Sequence, residues 1–349
     1  MDKVAFLIDG RYVYWRAIIL ALAVLAAVLM AIALRLRQKQ SLTALCIALP
    51  FALVFSLFFA RLIHWYCRFE GYESLKAALT RTQGGYSLIG VFAGTLLAFG
   101  LVRLLRLTKD LPSLLDCVAP GAALGIAVGR LGDLFSSADR GKLLIAQEAY
   151  HRLPFASPVT NSVSGAVEWR FASFFGQSLW AFIIFLILMA VVLWPKKESP
   201  AGEVRRGGQV FSLFMTLYCL GQILFDSTRY DALFLRSNGF VSLVQILCCV
   251  VLVLILVLRS VRSLRAGGLT RWHPVAWIAA LGALGGAGYM EYYVQRHGDE
   301  FLRAYGTMAL CLAIHFCASR AVGLLKGKRK AQGGAHLKKK LPENEPRQV

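Results

Sequence analysis

The sequence predicts an all-α integral membrane protein, a polytopic bundle of about nine transmembrane helices. Three observations carry that prediction. Hydrophobic residues make up 57% of the 349-residue chain and mean hydropathy is +0.59, both beyond what a soluble core requires. Apolar runs of bilayer-spanning length recur along the chain. Period-2 alternation is absent, and lipid admits only helices or closed barrels, because each backbone polar group must be satisfied internally.

The spans read as 16–34, 41–60, 86–102, 114–135, 172–194, 209–225, 240–258, 274–290 and 304–321. Asp2, Lys3, Asp9 and Arg11 precede the first run and no small-residue cleavage site follows it, so no cleaved leader is expected. The second closes on Ala60-Arg61-Leu62-Ile63-His64-Trp65-Tyr66, a basic and aromatic cluster of the kind found at membrane interfaces. The third opens with Gln83-Gly84-Gly85-Tyr86-Ser87-Leu88-Ile89-Gly90, and Gly90 with Gly94 makes a small-xxx-small pair for helix packing. Gly121, Gly125 and Gly129 line one stripe of the fourth, which ends with Arg130 and Asp133. A charge at membrane depth costs about 2.5–3.5 kcal/mol on insertion scales and marks a site by default. Spans five and seven are uniformly apolar and read as structural or lipid-facing. The sixth ends in Gln222, Asp226 and Arg229, spaced to share one helical face. Segments 61–85 and 136–171 are the long external loops, and loops of that length tend to be functional.

The net charge of +20 does not point to nucleic acid, because its distribution follows the membrane. Arg35, Arg37, Lys39, Arg103, Arg106, Lys109, Lys196, Lys197, Arg205, Arg206, Arg259, Arg262, Arg265 and Arg271 fall on alternate connections. This positive-inside bias gives an N-out, C-in orientation. The Lys-rich tail, 326–349, reads as a disordered cytoplasmic segment near anionic lipid heads. Eight cysteines form no CxxC spacing, and most fall within spans as small hydrophobes. No metal set, cofactor motif or disulfide framework is expected.

Over about residues 12–258 these strings resemble the prolipoprotein diacylglyceryl transferase family. Asp116, Pro120-Gly121 and Gly129-Arg130-Leu131-Gly132-Asp133 are similar to its signature region, an aspartate, a Pro-Gly pair and a run ending Gly-Arg-x-Gly-Asn. Ala60-Arg61-Leu62, Gly84-Gly85-Tyr86-Ser87, and Arg206-Gly207-Gly208-Gln209-Val210-Phe211 add to the likeness. Asp226 to Arg229 resembles its Glu-x-x-Arg ending. The chain also departs from the pattern. Ile89 stands where the family has histidine, and Asp133 where it has the signature asparagine. A following glutamate falls on Ala138, with Asp139 beside it and Gly141 retained. A Tyr-Glu pair falls on Gly176-Gln177, an arginine on Gln222, a glutamate on Asp226 and a Trp-Tyr pair on Trp15-Arg16. The resemblance thus divides the chain into a seven-helix core (1–258), an additional helix pair (259–325) and the basic tail (326–349).

What the resemblance implies is transfer of the diacylglyceryl group of phosphatidylglycerol to the lipobox cysteine thiol of a prolipoprotein signal peptide. A thioether forms and glycerol phosphate leaves, in the bacterial plasma (inner) membrane, with no cofactor. Such chemistry asks for a cation on the phosphate, a proton acceptor for the thiol, and a cleft open to lipid. Arg130, Asp133 and Asp226 are the expected catalytic residues. Arg61, Gly84, Gly85, Ser87, Gly132, Asp139, Gly141, Gln222 and Arg229 are the expected substrate-binding ones. Arg130 and Asp133 also read as a buried pair that neutralises itself. Ile89 cannot take a proton, which leaves Asp133, Asp139, Asp226 and His64 as acceptors. The alternative is a relative that binds anionic phospholipid and no longer turns over. A transporter would show an internal repeat with broken helices in both halves, and the sequence has neither.

Overall fold

The computed structural model describes residues 3–80, 85–108, 110–136, 139–161, 164–194, 207–235, 238–267, 270–297 and 300–324. Gly84, Ala138, Arg206 and the basic tail lie outside the described residues. The chain opens with a hairpin, β1 (Val4–Ile8) and β2 (Arg11–Tyr14), that the hydropathy pattern did not announce. Its two-residue turn is Asp9-Gly10, with φ of 47° and 76°, the left-handed pair that an Asp-Gly turn accepts. From it rises α1 (Trp15–Arg37), followed by α2 (Thr43–Cys67).

The second helix outruns its expected end at 60, so Arg61, His64 and Cys67 sit on α2 rather than in an outer loop. The apolar run marks where lipid ends, whereas the helix continues because neither Gly nor Pro interrupts 61–67. After it come α3 (Leu75–Thr80), α4 (Leu88–Leu104) and α5 (Leu111–Leu131). Asp110 caps α5, its carboxylate accepting from Ser113 N at 3.2 Å, and Pro112 occupies the first turn, where no N–H is needed. The expected loop 136–171 contains the hairpin β3 (Ala156–Thr160) and β4 (Val167–Phe171). Then follow α6 (Ser173–Leu193), α7 (Gln209–Thr228), a short hairpin of β5 (Phe234–Leu235) and β6 (Asn238–Ser242), α8 (Leu243–Gly267), α9 (Trp272–His297) and α10 (Phe301–Leu324).

Seven of these helices are long and apolar enough to cross a membrane; α4 is apolar but shorter, and α9 is outside that set. The chain is therefore an all-α polytopic membrane protein. The main core joins α5 to α8 with the last two helices through Ala123, Ile184, Phe214, Leu252, Met308 and Leu312. A second cluster, with Leu45, Phe99 and Leu114, ties α1, α2, α4 and α5 together. Glycine makes two of these contacts possible. Any Cβ at Gly90 or Gly94 would strike the α2 backbone at Phe55 to Ala60, and one at Gly121 would strike the carbonyl of Ala27 in α1. Asp116 acts at the far end of the bundle from Arg130. Its carboxylate accepts from Gly208 N at 2.7 Å and Phe211 N at 2.8 Å, capping α7.

Candidate active site

Arg130 lies in the last turn of α5, and a 3₁₀ turn, Gly132–Phe135, carries Asp133 directly after it. Asp226 lies in the last turn of α7; Arg229 follows it with extended backbone. The chain after α5 returns between these two ends. It reverses at Asp139, whose φ of 56° lies in the left-handed region that aspartate tolerates better than most residues. Gly141 then bridges to Arg229, its N–H donating to Phe171 O at 2.6 Å, while Lys142 N donates to Thr228 O at 2.8 Å. A Cβ at Gly141 would press on Phe171 at 2.9 Å, so a glycine is required for this close pass.

The folding-back places the Asp139 carboxylate between two guanidinium groups. Arg130 Nη1 pairs with Asp139 Oδ2 and stands 3.8 Å from Asp133. Arg229 reaches Asp139 Oδ1 at 2.5 Å, Asp226 Oδ1 at 3.0 Å and Asp231 Oδ1 at 3.1 Å. Arg16, at the start of α1, closes the ring with a 2.9 Å contact to Asp133 Oδ1. Gly132 lies against Arg16 Cγ and Ile19 Cγ2, each at 3.5 Å from where its Cβ would be, which seats α1 beside the turn. Asp133, Asp139 and Asp226 are 4%, 3% and 1% exposed, so the carboxylates at the centre of the ring are buried, while Arg16 and Asp231 at its edge reach the surface.

Burial alone would raise the Asp139 pKa, but Arg130 and Arg229 reverse the effect and hold the carboxyl well below its usual range. Burial likewise opposes the charge on Arg229, and Asp139, Asp226 and Asp231 more than compensate. Asp139 is thus an ionised counter-ion at neutral pH and a poor proton acceptor. Of the acceptors read from the sequence, Asp133 and Asp226 remain in the ring.

A second group forms where α2 meets the start of α4. Arg61 Nη1 donates to Gly85 O at 3.3 Å, and its guanidinium lies 4.6 Å from the centroid of the Tyr86 ring. Ser87 N donates to Ala60 O at 3.0 Å, and its Oγ is buried with no hydrogen-bond partner among the described residues. His64 packs against Gly85 and bonds Tyr72 through Nδ1 at 3.1 Å. Gln222 is buried in α7 one turn before Asp226, and Ile89 packs half-buried against the main core. The expected residues therefore divide between an ion-pair ring (Arg130, Asp133, Asp139, Gly141, Asp226, Arg229) and an α2–α4 group (Arg61, Gly85, Ser87).

The sequence reading missed a third element. Ser242 Oγ donates to Asp226 Oδ2, Gln245 Oε1 accepts from Ser242 N at 3.0 Å, and Gln245 Nε2 donates to Glu291 Oε2 at 2.9 Å. Gln295 donates to the other Glu291 oxygen at 2.8 Å. Thus α9 extends a hydrogen-bonded chain to Asp226, and Tyr305 of α10 donates to Ser227 O at 3.3 Å. The available signal was a lone carboxylate directly after the eighth apolar run. Asp231, which holds Arg229 and accepts from Asp139 N at 3.1 Å, carried no such signal.

Together these features define a class: a polytopic membrane protein with arginines and aspartates interlocked at one face of the bundle. Residues 3–259 match the sequence model of prolipoprotein diacylglyceryl transferase, and the chain belongs to that family. It is 28% identical over 253 residues to a phosphatidylglycerol–prolipoprotein diacylglyceryl transferase of Clostridium kluyveri, covering 70% of this chain and 91% of that protein. A similarly named protein of Finegoldia magna is 28% identical over 257 residues, covering 72% and 94%. Transferase 1 of Clostridium perfringens is 26% identical over 264 residues, covering 74% and 96%.

Proposed function

We propose that the chain transfers the diacylglyceryl group of phosphatidylglycerol to the lipobox cysteine of a prolipoprotein signal peptide, in the bacterial plasma membrane, with its N-terminus outside. The convergence of Arg130 and Arg229 on the two oxygens of Asp139 carries this reading, because a phosphate presents the same array of acceptors. A phosphodiester arriving from the lipid meets both guanidiniums together and replaces Asp139 as their acceptor. The lipobox sulfur attacks the terminal carbon of the diacylglyceryl glycerol. A C–S bond forms as the C–O bond to phosphate breaks, and glycerol phosphate leaves with the electron pair. Arg130 and Arg229 stabilise the charge that develops on it. Asp133, held by Arg16 and Arg130, accepts the thiol proton, and Asp226 orients Arg229. Arg61, Gly85 and Ser87 contact the substrate at the α2–α4 group, Gly84 adds a further contact, and Gln222 contributes a neutral donor. Residues 1–258 supply the reaction centre, and 259–325 brace it.

Asp139 favours a second reading, since a cation already neutralised is also what a lipid-binding relative without turnover would keep. One experiment separates the two. Purified protein is incubated with phosphatidylglycerol and a lipobox peptide, and diacylglyceryl addition is followed by mass spectrometry. Product that disappears with Arg130→Ala is the expected result. No product, beside an active control enzyme, overturns the transferase assignment in favour of the binding relative.

A further inference from the structure

A second embedded cation lies towards the opposite face of the bundle. Ser242, directly before α8, touches Asp226 near the end of α7, so the two helices run antiparallel. Arg259 stands 16 residues beyond Leu243, about 24 Å along the helix at about 1.5 Å per residue. Its side chain crosses to both neighbouring helices. Nη1 donates to Ser319 Oγ of α10 at 2.6 Å, and Nη2 to Thr216 Oγ1 of α7 at 3.1 Å. Thr216 and Ser319 are 0% and 1% exposed, so the guanidinium is drawn into the bundle rather than out to the interface.

Hydroxyl groups solvate this charge without neutralising it. The charged groups that act on Arg259 are Arg320 and Arg262, both of the same sign. Among the described residues no carboxylate pairs with any of the three. A cation drawn between packed helices is costly without an anion, and such residues pair or mark a binding site. The two hydroxyl contacts use two of the five guanidinium donors and orient the rest. Arg320 and Arg262 are exposed, at the ends of α10 and α8 from which a headgroup would approach.

We propose that Arg259, flanked by Arg262 and Arg320, binds the phosphate of an anionic phospholipid where α7, α8 and α10 meet, away from the Arg130 ring. The site straddles the seam between the family core and the additional helix pair, so a bound lipid would fasten the two together. It is independent of the reaction proposed above.

Native mass spectrometry of the full-length, delipidated protein tests it. Arg130→Ala is introduced first to weaken lipid binding at the ring and stop turnover, and phosphatidylglycerol is titrated. The expected result is a retained bound lipid whose affinity falls at least about tenfold with Arg259→Gln. Arg320→Gln, at an exposed position outside the hydroxyl contacts, weakens it several-fold and stands in if the first variant fails to fold. Phosphatidylcholine binds more weakly than phosphatidylglycerol. Competition by inorganic phosphate supports a site that recognises phosphate from either source; failure to compete supports one that needs the lipid chains as well. Binding unchanged by both substitutions, or equal for the two lipids, overturns the proposal. Binding is read in the Arg130→Ala background, without turnover, so this outcome is separable from that of the transferase assay.

Discussion

Asp139→Asn is the most informative single change to the ring, because it preserves shape and removes one charge. The carboxylate is 3% exposed and accepts from both Arg130 and Arg229, so the variant leaves two guanidiniums facing a neutral amide. Removing one partner of a buried ion pair costs about 3–5 kcal/mol. Asp133, Asp226 and Asp231 still contact the arginines, which puts the expected loss at the lower end, about 3 kcal/mol. At about 2.1 cal/mol/K per residue a 349-residue chain has an unfolding entropy of about 0.7 kcal/mol/K, so that loss lowers Tm by about 4 °C, readable by thermal unfolding in detergent. The pH dependence has a definite sign. Because Asp139 titrates below the 3.8 of an unperturbed aspartate, its contribution is complete above that value and is lost as pH falls towards the folded value. Loss of the Asp139 contribution therefore narrows the gap between wild type and variant only below about pH 4. A loss under about 2 °C at neutral pH, or a gap that does not narrow below about pH 4, refutes the assignment of Asp139 as the counter-ion of the ring.

Two further predictions follow from the same geometry. Glu291→Ala removes the acceptor of the Gln245 Nε2 bond, the outer link of the chain that reaches Asp226 through Ser242; a bond to a charged group contributes about 1.5–3 kcal/mol, so the variant should be less stable by about that amount and peptide modification should fall. Unchanged kcat in a folded variant would confine α9 to a packing role. Ile89→His restores a titratable side chain where the family pattern has one, and modification rates at pH 7.5–8 should rise if proton transfer limits the reaction. No gain in a folded protein places the proton route elsewhere.

Much of the bundle was legible because lipid imposes a simple rule on sequence: each crossing is a long apolar run. Boundaries were less so, since α2 continues past its apolar stretch to Cys67 and carries Arg61 with it. The ring was half legible. Arg130, Asp133, Asp226 and Arg229 announced themselves as charges at span ends, and Asp226 and Arg229 do act together, 3.0 Å apart. Asp139 was read as a substrate contact or proton acceptor, not as the partner shared by Arg130 and Arg229. Asp139 meets them only because the chain reverses there at φ 56° and Gly141 permits the close pass, and neither event has a hydrophobic signature. Glu291 lies beyond the matched residues, 3–259, so no resemblance points to it. The N-terminal hairpin and the β3–β4 hairpin lie outside the lipid rule altogether.

The family pattern sets a glutamate at 177 and an arginine at 222, and this chain has glutamine at both. The two positions lie on helices that pack together, α6 and α7. Gly176 of α6 packs on the Phe225 ring, and Trp180 donates to Leu217 O at 3.1 Å beside Gly221 of α7. Gln177 and Gln222 are 4% and 6% exposed, and neither amide atom of Gln177 has a hydrogen-bond partner among the described residues. If charges at these two buried positions face each other, changing one alone strands the other at a cost of about 3–5 kcal/mol, whereas changing both leaves the place neutral. A double-mutant cycle examines this coupling. Gln222→Arg and Gln177→Glu should each lower Tm, and the double variant should recover most of both losses, with a coupling energy above about 1 kcal/mol. Strictly additive losses would mean that the two glutamines do not share a site. In that case the change at 222 has no structural compensation, and Arg130 with Arg229 must have taken over its charge on their own.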